Sequence, residues 1–299
     1  MIRYGCAALI LACFPGCTSS DDGPRASCVE RALNQPGLEK GVAVFTTEHG
    51  GVAEATSGWL NFRTGDSVLP MASLTKPLVA GEVRRRIDRG TLGLEQPIGK
   101  LLSGVAFVPE TASVTVSQLL QHRAGFDRTF RDPLFSSTPV SCRAAARDVL
   151  QRAPEHDPGQ QMLYSNAGYC VLGEILLSSP AGLPADLHRA LDSPLGAAGG
   201  WVGTLYQLHG ALSQDLPLAD LPADVELPDG SHYAYGWRRW PKAGNGPPWS
   251  HFGHLPGMVS LALSDGRNTL LVAHFLGDPQ EVDAASLDAS RALWRCFET

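Results

Sequence analysis

The sequence predicts an α+β fold: one antiparallel sheet assembled from both ends of the chain, flanked by terminal helices, with an all-α domain inserted between its strands. Three observations predict it. Alternating apolar and polar residues mark strands near the start, at 41–47 and 52–62, with a His49-Gly50-Gly51 turn between them. Strand patterns return only after Gly199, at 233–240, 258–263 and 269–275. Helical periodicity fills the interval, and one further helix stands at each end.

The elements follow in order. Residues 27–34 read as a short helix stopped by Gln35-Pro36-Gly37. Residues 73–88 read as a helix with Gly90 as its stop. Pro77 denies the Ser73 carbonyl its partner, which a helix tolerates only in its first turn and which places the start near Ser73. Residues 114–122, 141–153 and 167–178 read as further helices, and 284–297 as the last. The stretch 212–230, rich in Pro, Asp and Leu, reads as a surface loop. Arg84, Arg85 and Arg86 are expected on or near a solvated helix face, and Trp201, Trp237, Trp240 and Trp249 in core packing. The domain expectation is therefore an α/β part from 27–75 and 198–299, with a helical part over 76–197.

Ahead of the fold, Met1-Ile2-Arg3 gives a basic start and residues 4–14 an uncharged apolar run. The run is too short to span a membrane and suits a signal-peptide core. Residues 1–17 are expected to be that signal and 18–26 a flexible linker. Cys17, after Gly16 and before a polar run, resembles a bacterial lipoprotein site. Cys13 is the alternative, and an ordinary cleaved signal is a third reading. Each implies export to the periplasm or cell envelope, with membrane attachment only through a lipid.

The net charge of −6 comes from scattered residues, which argues against a nucleic-acid partner. The remaining length buries a large core, and a monomer is expected. Cys28, Cys142, Cys170 and Cys296 are an even set in an exported chain. Pairing of Cys28 with Cys296 and Cys142 with Cys170 is one reading, and four buried thiols the other. The histidines lack metal-ligand spacing, and His251 and His254 would face opposite sides of a strand. Neither a metal nor an organic cofactor is expected.

Chemistry concentrates in three places. In Ser73-Leu74-Thr75-Lys76 the lysine is three residues from the serine on a helix, hence on the same face, and can take its proton. Tyr164-Ser165-Asn166 offers a second proton shuttle and an amide to tether Lys76 and a substrate. Ser250-His251-Phe252-Gly253-His254 precedes a strand whose edge can supply a backbone N–H to an oxyanion.

Ser73-x-x-Lys76, Tyr164-x-Asn166 and His251-x-Gly253, in this order, resemble the penicillin-recognising serine hydrolases, and within them the class C β-lactamase-like branch. That branch also holds D-alanyl-D-alanine carboxypeptidases, D-amino-acid peptidases and β-lactamase-like esterases. Supporting segments are 114–126, ending in His122-x-x-Gly125, the Pro158-Gly159 to Tyr169 run, and Gly199-Gly200 to Thr204. The resemblance implies a β-lactamase/transpeptidase-like fold and an acyl-enzyme mechanism. In it Ser73 is the nucleophile, Lys76 its base and Tyr164 a proton carrier. Asn166 orients Lys76 and the substrate, His251 stands for the third motif's lysine, and the N–H groups of Ser73 and His254 form the oxyanion hole. Substrates would be small esters or amides, or peptidoglycan-type peptides. Two departures stand out. Phe252 replaces a small or hydroxyl residue, so it is expected to favour an apolar acyl wall and to disfavour β-lactams. Only Ala197 and Ala198 separate Gly196 from the Gly-Gly pair, a shortening expected to open or reshape the cleft. A true β-lactamase and a non-hydrolytic cell-envelope receptor are the alternative functions.

Overall fold

The structure is a computed structural model, described for residues 23–57, 64–126, 132–134, 140–222, 226–241 and 246–298. The signal-segment and lipidation expectations, Cys13 and Cys17 included, lie outside the described residues. In chain order the elements are α1 (Gly23–Ala32), β1 (Glu39–Thr46), β2 (Val52–Thr56), β3 (Leu69–Pro70), α2 (Thr75–Asp88), α3 (Pro109–Ala112), α4 (Val116–Leu120), α5 (Cys142–Leu150) and α6 (Asn166–Ser178). There follow α7 (Ala185–Asp192), α8 (Gly196–Gly199), β4 (Val202–Gly203), α9 (Leu205–Ser213), β5 (His232–Ala234), β6 (Trp237–Arg239), β7 (Trp249–Leu255), β8 (Met258–Ser264), β9 (Leu270–Leu276) and α10 (Val282–Trp294).

Seven strands form one antiparallel sheet in the order β2-β1-β9-β8-β7-β6-β5. The N-terminal hairpin joins the C-terminal strands through β1 and β9, with Val42 opposite His274 and Phe45 opposite Leu271. Alternation along β1 builds two cores. Val42 and Val44 face the apolar cluster shared with α2, α4, α5 and α6, while Ala43 and Phe45 face the cluster under α1 and α10. A sheet covered on both faces explains why β8 is buried at every position and shows no clean polar face.

Several expectations need correction. The run 233–240 is not one strand: Tyr235 and Gly236 both hold positive φ, 44° and 83°, and turn the chain into the β5–β6 hairpin. A Cβ on Gly236 would lie 2.8 Å from the Pro77 Cα, so the hairpin tip rests on the first turn of α2. Helices α7 and α9 had no counterpart in the sequence reading. The start of α9 was legible in Thr204-x-x-Gln207, which closes a capping box. The stretch 212–230 is not all surface loop, since Leu212, Leu218 and Leu221 are buried. The arginine run is solvated only in part, with Arg84 and Arg85 half-buried. Arg86 is buried and donates to Glu82, and Arg85 reaches Asp215 at 2.6 Å. A Cβ on Gly81 would overlap the Asp215 carboxylate, so α2 and this stretch are in direct contact.

Both disulfides form as the sequence suggested, Cys28–Cys296 across a sequence separation of 268 and Cys142–Cys170 across 28. They are compatible with an exported protein. No helix among the described residues is long and apolar enough to cross a membrane. Trp201, Trp237 and Trp249 lie in the core as expected, whereas Trp240 is partly exposed.

The Cys28–Cys296 bridge fastens α1 to the turn after α10 and limits the unfolded chain over nearly its whole length. Replacing both cysteines by serine is expected to lower unfolding stability by about 2–4 kcal/mol. Denaturant titration measures it, and an unchanged midpoint would refute the tether.

Candidate active site

The segment before Ser73 is held from three sides. Met71 N donates to Trp201 O at 3.1 Å, Ser260 Oγ donates to Met71 O at 2.9 Å, and Thr75 Oγ1 donates to Ala72 O at 2.8 Å. Ala72 sits at φ 48°, a left-handed conformation costing about 1–2 kcal/mol for a residue with a Cβ. The chain then enters a 3-10 turn over Ala72–Leu74, and α2 follows from Thr75. Ser73 therefore lies one short turn earlier than an α2 helix would start, while Pro77 occupies its first turn as expected.

Lys76 is fully buried, and its Nζ lies 3.0 Å from Ser73 Oγ. Nζ donates to Asn166 Oδ1 and to Ala198 O, both at 2.7 Å. A neutral amine has two hydrogens and one lone pair. As an ammonium, Lys76 gives its third hydrogen to Ser73 Oγ; once that proton is lost, the two acceptors keep the two remaining hydrogens and the lone pair turns to the Ser73 hydroxyl. Tyr164 approaches from the other side, its Oη 3.2 Å from Ser73 Oγ and its ring centroid 5.0 Å from Lys76 Nζ.

The Tyr-x-Asn spacing has a local cause. Ser165 is the N-cap of α6, its hydroxyl accepting from Gly168 N. The capping residue faces the helix, and its two neighbours reach Ser73 and Lys76. The Ala198 carbonyl comes from α8, the shortened connection. Ala197 and Ala198 are buried, and the Ala198 carbonyl accepts from Lys76, so this short link shapes the wall behind the lysine. The Cys142–Cys170 bridge backs α8, since a Cβ on Gly196 would lie 2.6 Å from the Cys142 Cβ.

Gly253 lies against the nucleophile. A Cβ there would stand 2.6 Å from Met71 O and 3.1 Å from Ser73 N, so only glycine lets β7 come this close. Beyond Ser250 the edge of β7 has no strand partner from β6, whose pairing stops at Arg238 opposite Ser250. His254 follows on that edge, its side chain partly exposed and its Nε2 3.4 Å from Asp278.

His251 is buried, and its ring centroid is 6.2 Å from that of Tyr233. Burial, reinforced by the positive charges of Lys76 and Arg238, pushes its pKa well below the usual histidine value, so the ring is neutral near pH 7. The position that resembles the family's ammonium thus carries no fixed charge. Phe252 corrects an expectation. It packs toward the cluster under the terminal helices and lines a pocket with Trp240 and Leu287, so it forms no acyl wall beside Ser73.

Two site residues escaped the sequence reading. His122, singled out above only as part of a supporting segment, is buried at φ 55° with its ring centroid 4.3 Å from that of Tyr164. Its Nδ1 accepts from Ser165 N at 3.1 Å. The only available signal was its place in the His-x-x-Gly segment. Asp132 is fully buried and accepts from Asn166 Nδ2 at 3.0 Å. Nothing in the residues around Asp132 pointed to it.

Two predictions follow from this geometry. Gly253→Ala is expected to displace the Ser73 main chain and lower the rate of Ser73 modification by about 100-fold or more. Labelling with a fluorophosphonate reads the loss, and an unimpaired rate would contradict the close approach. The second concerns pH. Unfolded His251 takes a proton near pH 6.5, whereas the folded ring resists it, so stability is expected to fall as pH drops below about 6.5. His209, also buried and shifted the same way, adds to this, while the raised Asp215 carboxyl opposes it at the acid end. Urea unfolding at about pH 7.5 and 5.5 should show a smaller acid loss in His251→Gln than in the parent. An equal loss would exclude His251 as a source.

The chain resembles known proteins in sequence and in fold. The Beta-lactamase family model matches residues 29–182, just over half of the chain. The protein named "Probable fimbrial assembly protein FimD, serogroup H1" of Dichelobacter nodosus is 31% identical over 158 residues, covering 50% of this chain and 40% of that relative. The chain thus matches less than half the length of that relative. Among solved structures, D-amino acid amidase from Ochrobactrum anthropi has a TM-score of 0.70 at 17% identity, covering 93% of this chain and 97% of the other. The Beta-lactamase/D-alanine Carboxypeptidase from Yersinia pestis also scores 0.70, at 15% identity, covering 93% and 100%. At these identities the structures speak for the fold, and the family match places the chain by sequence: it belongs to the Beta-lactamase family, among the penicillin-recognising serine hydrolases.

Proposed function

We propose that the protein is a serine hydrolase that works through an acyl-enzyme on ester or amide substrates, amides and peptides of D-amino acids among them. The observation that carries this reading is the set of contacts at Lys76 Nζ, 3.0 Å from Ser73 Oγ and 2.7 Å from both Asn166 Oδ1 and Ala198 O: with two hydrogens held by those acceptors, the deprotonated amine turns its lone pair to the hydroxyl. Ser73 Oγ attacks the substrate carbonyl carbon while its proton passes to Lys76. The oxyanion is held by the N–H groups of Ser73 and His254, a contribution of about 3–4 kcal/mol in comparable sites. Tyr164, 3.2 Å from Ser73 Oγ, hands a proton to the leaving group and later takes one from the deacylating water. Asn166 holds Lys76 and orients the substrate amide.

The neutral His251 ranks the substrates. A β-lactam or a peptide with a free carboxylate gains from a fixed positive charge at that position, and an ester or amide does not need one. We therefore rank esterase or amidase action above true β-lactamase action. The fold shared with a D-amino acid amidase is compatible with amide substrates. We further propose that the protein is exported and held at the envelope by a lipid on Cys17, or on Cys13.

Purified protein is expected to turn over p-nitrophenyl butyrate or a D-amino-acid amide faster than nitrocefin. Ser73→Ala should bring the rate to background, and Tyr164→Phe should cost about 100- to 10,000-fold. Steady-state kinetics on this panel, with a D-Ala-D-Ala peptide included, checks it. Rapid nitrocefin turnover would reverse the ranking. Ligand binding without turnover, unchanged in Ser73→Ala, would replace the enzyme with a receptor.

A further inference from the structure

We propose that Asp132 is a positioning residue: its carboxylate fixes which way round the Asn166 amide sits, and through that amide it aims the Lys76 lone pair at Ser73. The effect on rate rests on the serine-hydrolase reading above, whereas the effect on the amide does not.

An asparagine amide has an acceptor end and a donor end of nearly the same shape. With Oδ1 toward Lys76, Asn166 absorbs one Nζ hydrogen at 2.7 Å. Turned over, Asn166 would point Nδ2 hydrogens at Nζ. Only the amine lone pair could receive them, and that lone pair is the one that must take the Ser73 proton. The choice between the two orientations is made at the other end of the amide. Nδ2 donates to Asp132 Oδ1 at 3.0 Å, and the reversed amide would set its oxygen against a carboxylate oxygen. Both residues are fully buried, so such a mismatch would carry the full cost of an unsatisfied polar pair. Asp132 is itself pinned, because the same Oδ1 accepts from Leu134 N at 2.8 Å.

Asp132 also sets the charge around Lys76. Among the described residues, the groups near Nζ include Ser73 from the turn before α2, and Asn166 and the Tyr169 ring from α6. The Tyr164 ring lies just ahead of α6, the Ala198 carbonyl is on α8, and His251 is on β7. Asp132, through Asn166, brings a negative charge to this set. Losing that charge makes the ammonium form of Lys76 harder to keep, so the base becomes available at lower pH.

The test follows fluorophosphonate labelling of Ser73 against pH in the full chain, for the parent, Asp132→Asn and Asp132→Glu, with thermal midpoints as a folding check. In Asp132→Asn the plateau rate is expected to fall by about 10- to 100-fold. The acid limb of the profile should move to lower pH, whereas Asp132→Glu keeps the charge and should keep the limb in place. An Asp132→Asn profile with the parent's limb and plateau would overturn the inference. So would a rate loss that follows a lowered midpoint with the limb unmoved, since that marks a merely structural role. A parent that never labels would instead defeat the hydrolase reading, and a second readout then decides. The Asn166 side-chain amide signals in a proton–nitrogen spectrum, assigned with Asn166→Asp, should shift in Asp132→Asn. Unshifted signals would refute the proposal.

Discussion

Burying Lys76 is the constraint that the rest of the site answers to. An ammonium or amine with no exposed surface must find its partners inside the protein, and each missing partner would cost about 1–3 kcal/mol or more. Its partners come from elements far apart in sequence: the turn before α2, the first residue of α6, and the carbonyl of α8. Helix α6 is joined to α5 by the Cys142–Cys170 bridge, and α8 is wedged against that bridge through Gly196. The sheet contributes from the other side, where Ser260 and Gly253 hold the Met71–Ser73 main chain against β7 and β8. Removing any one support loosens the geometry of a single nitrogen.

The two faces of the sheet do different work. One carries the helical layer and the Ser73 site. The other is closed by α1 and α10, fastened by Cys28–Cys296, and receives Phe252 and Trp240. Strand β7 belongs to both, with His251 and Gly253 toward the site and Phe252 away from it. Period-two alternation thus separates chemistry from packing within three consecutive residues.

Much of this was legible in the sequence where spacing implies geometry. Ser73 and Lys76 share a face by helical periodicity, Tyr164 and Asn166 stand just before a helix, and the β1 and β9 segments read as strands. The cysteine pairs were legible because their number and placement fit a disulfide framework. What was not legible depends on tertiary contact. Asp132 has meaning only once Asn166 is placed beside it, and His122 only once its ring lies on Tyr164. The arginine run read as a solvated face because buried Glu82 and Asp215 could not be paired with it in advance. Phe252 read as an acyl wall because the strand's two faces could not be told apart without the terminal helices. The β5–β6 turn was hidden because Tyr235 holds a positive φ that its residue type does not advertise.

The central claim is that Ser73 becomes covalently acylated with Lys76 as its base. Rapid-quench intact-mass analysis during turnover of p-nitrophenyl butyrate tests it most directly. The account predicts a transient mass gain equal to the butyryl group, mapped to the peptide that holds Ser73 and absent in Lys76→Ala. Turnover with no covalent species, or an adduct mapped to another residue, would contradict it.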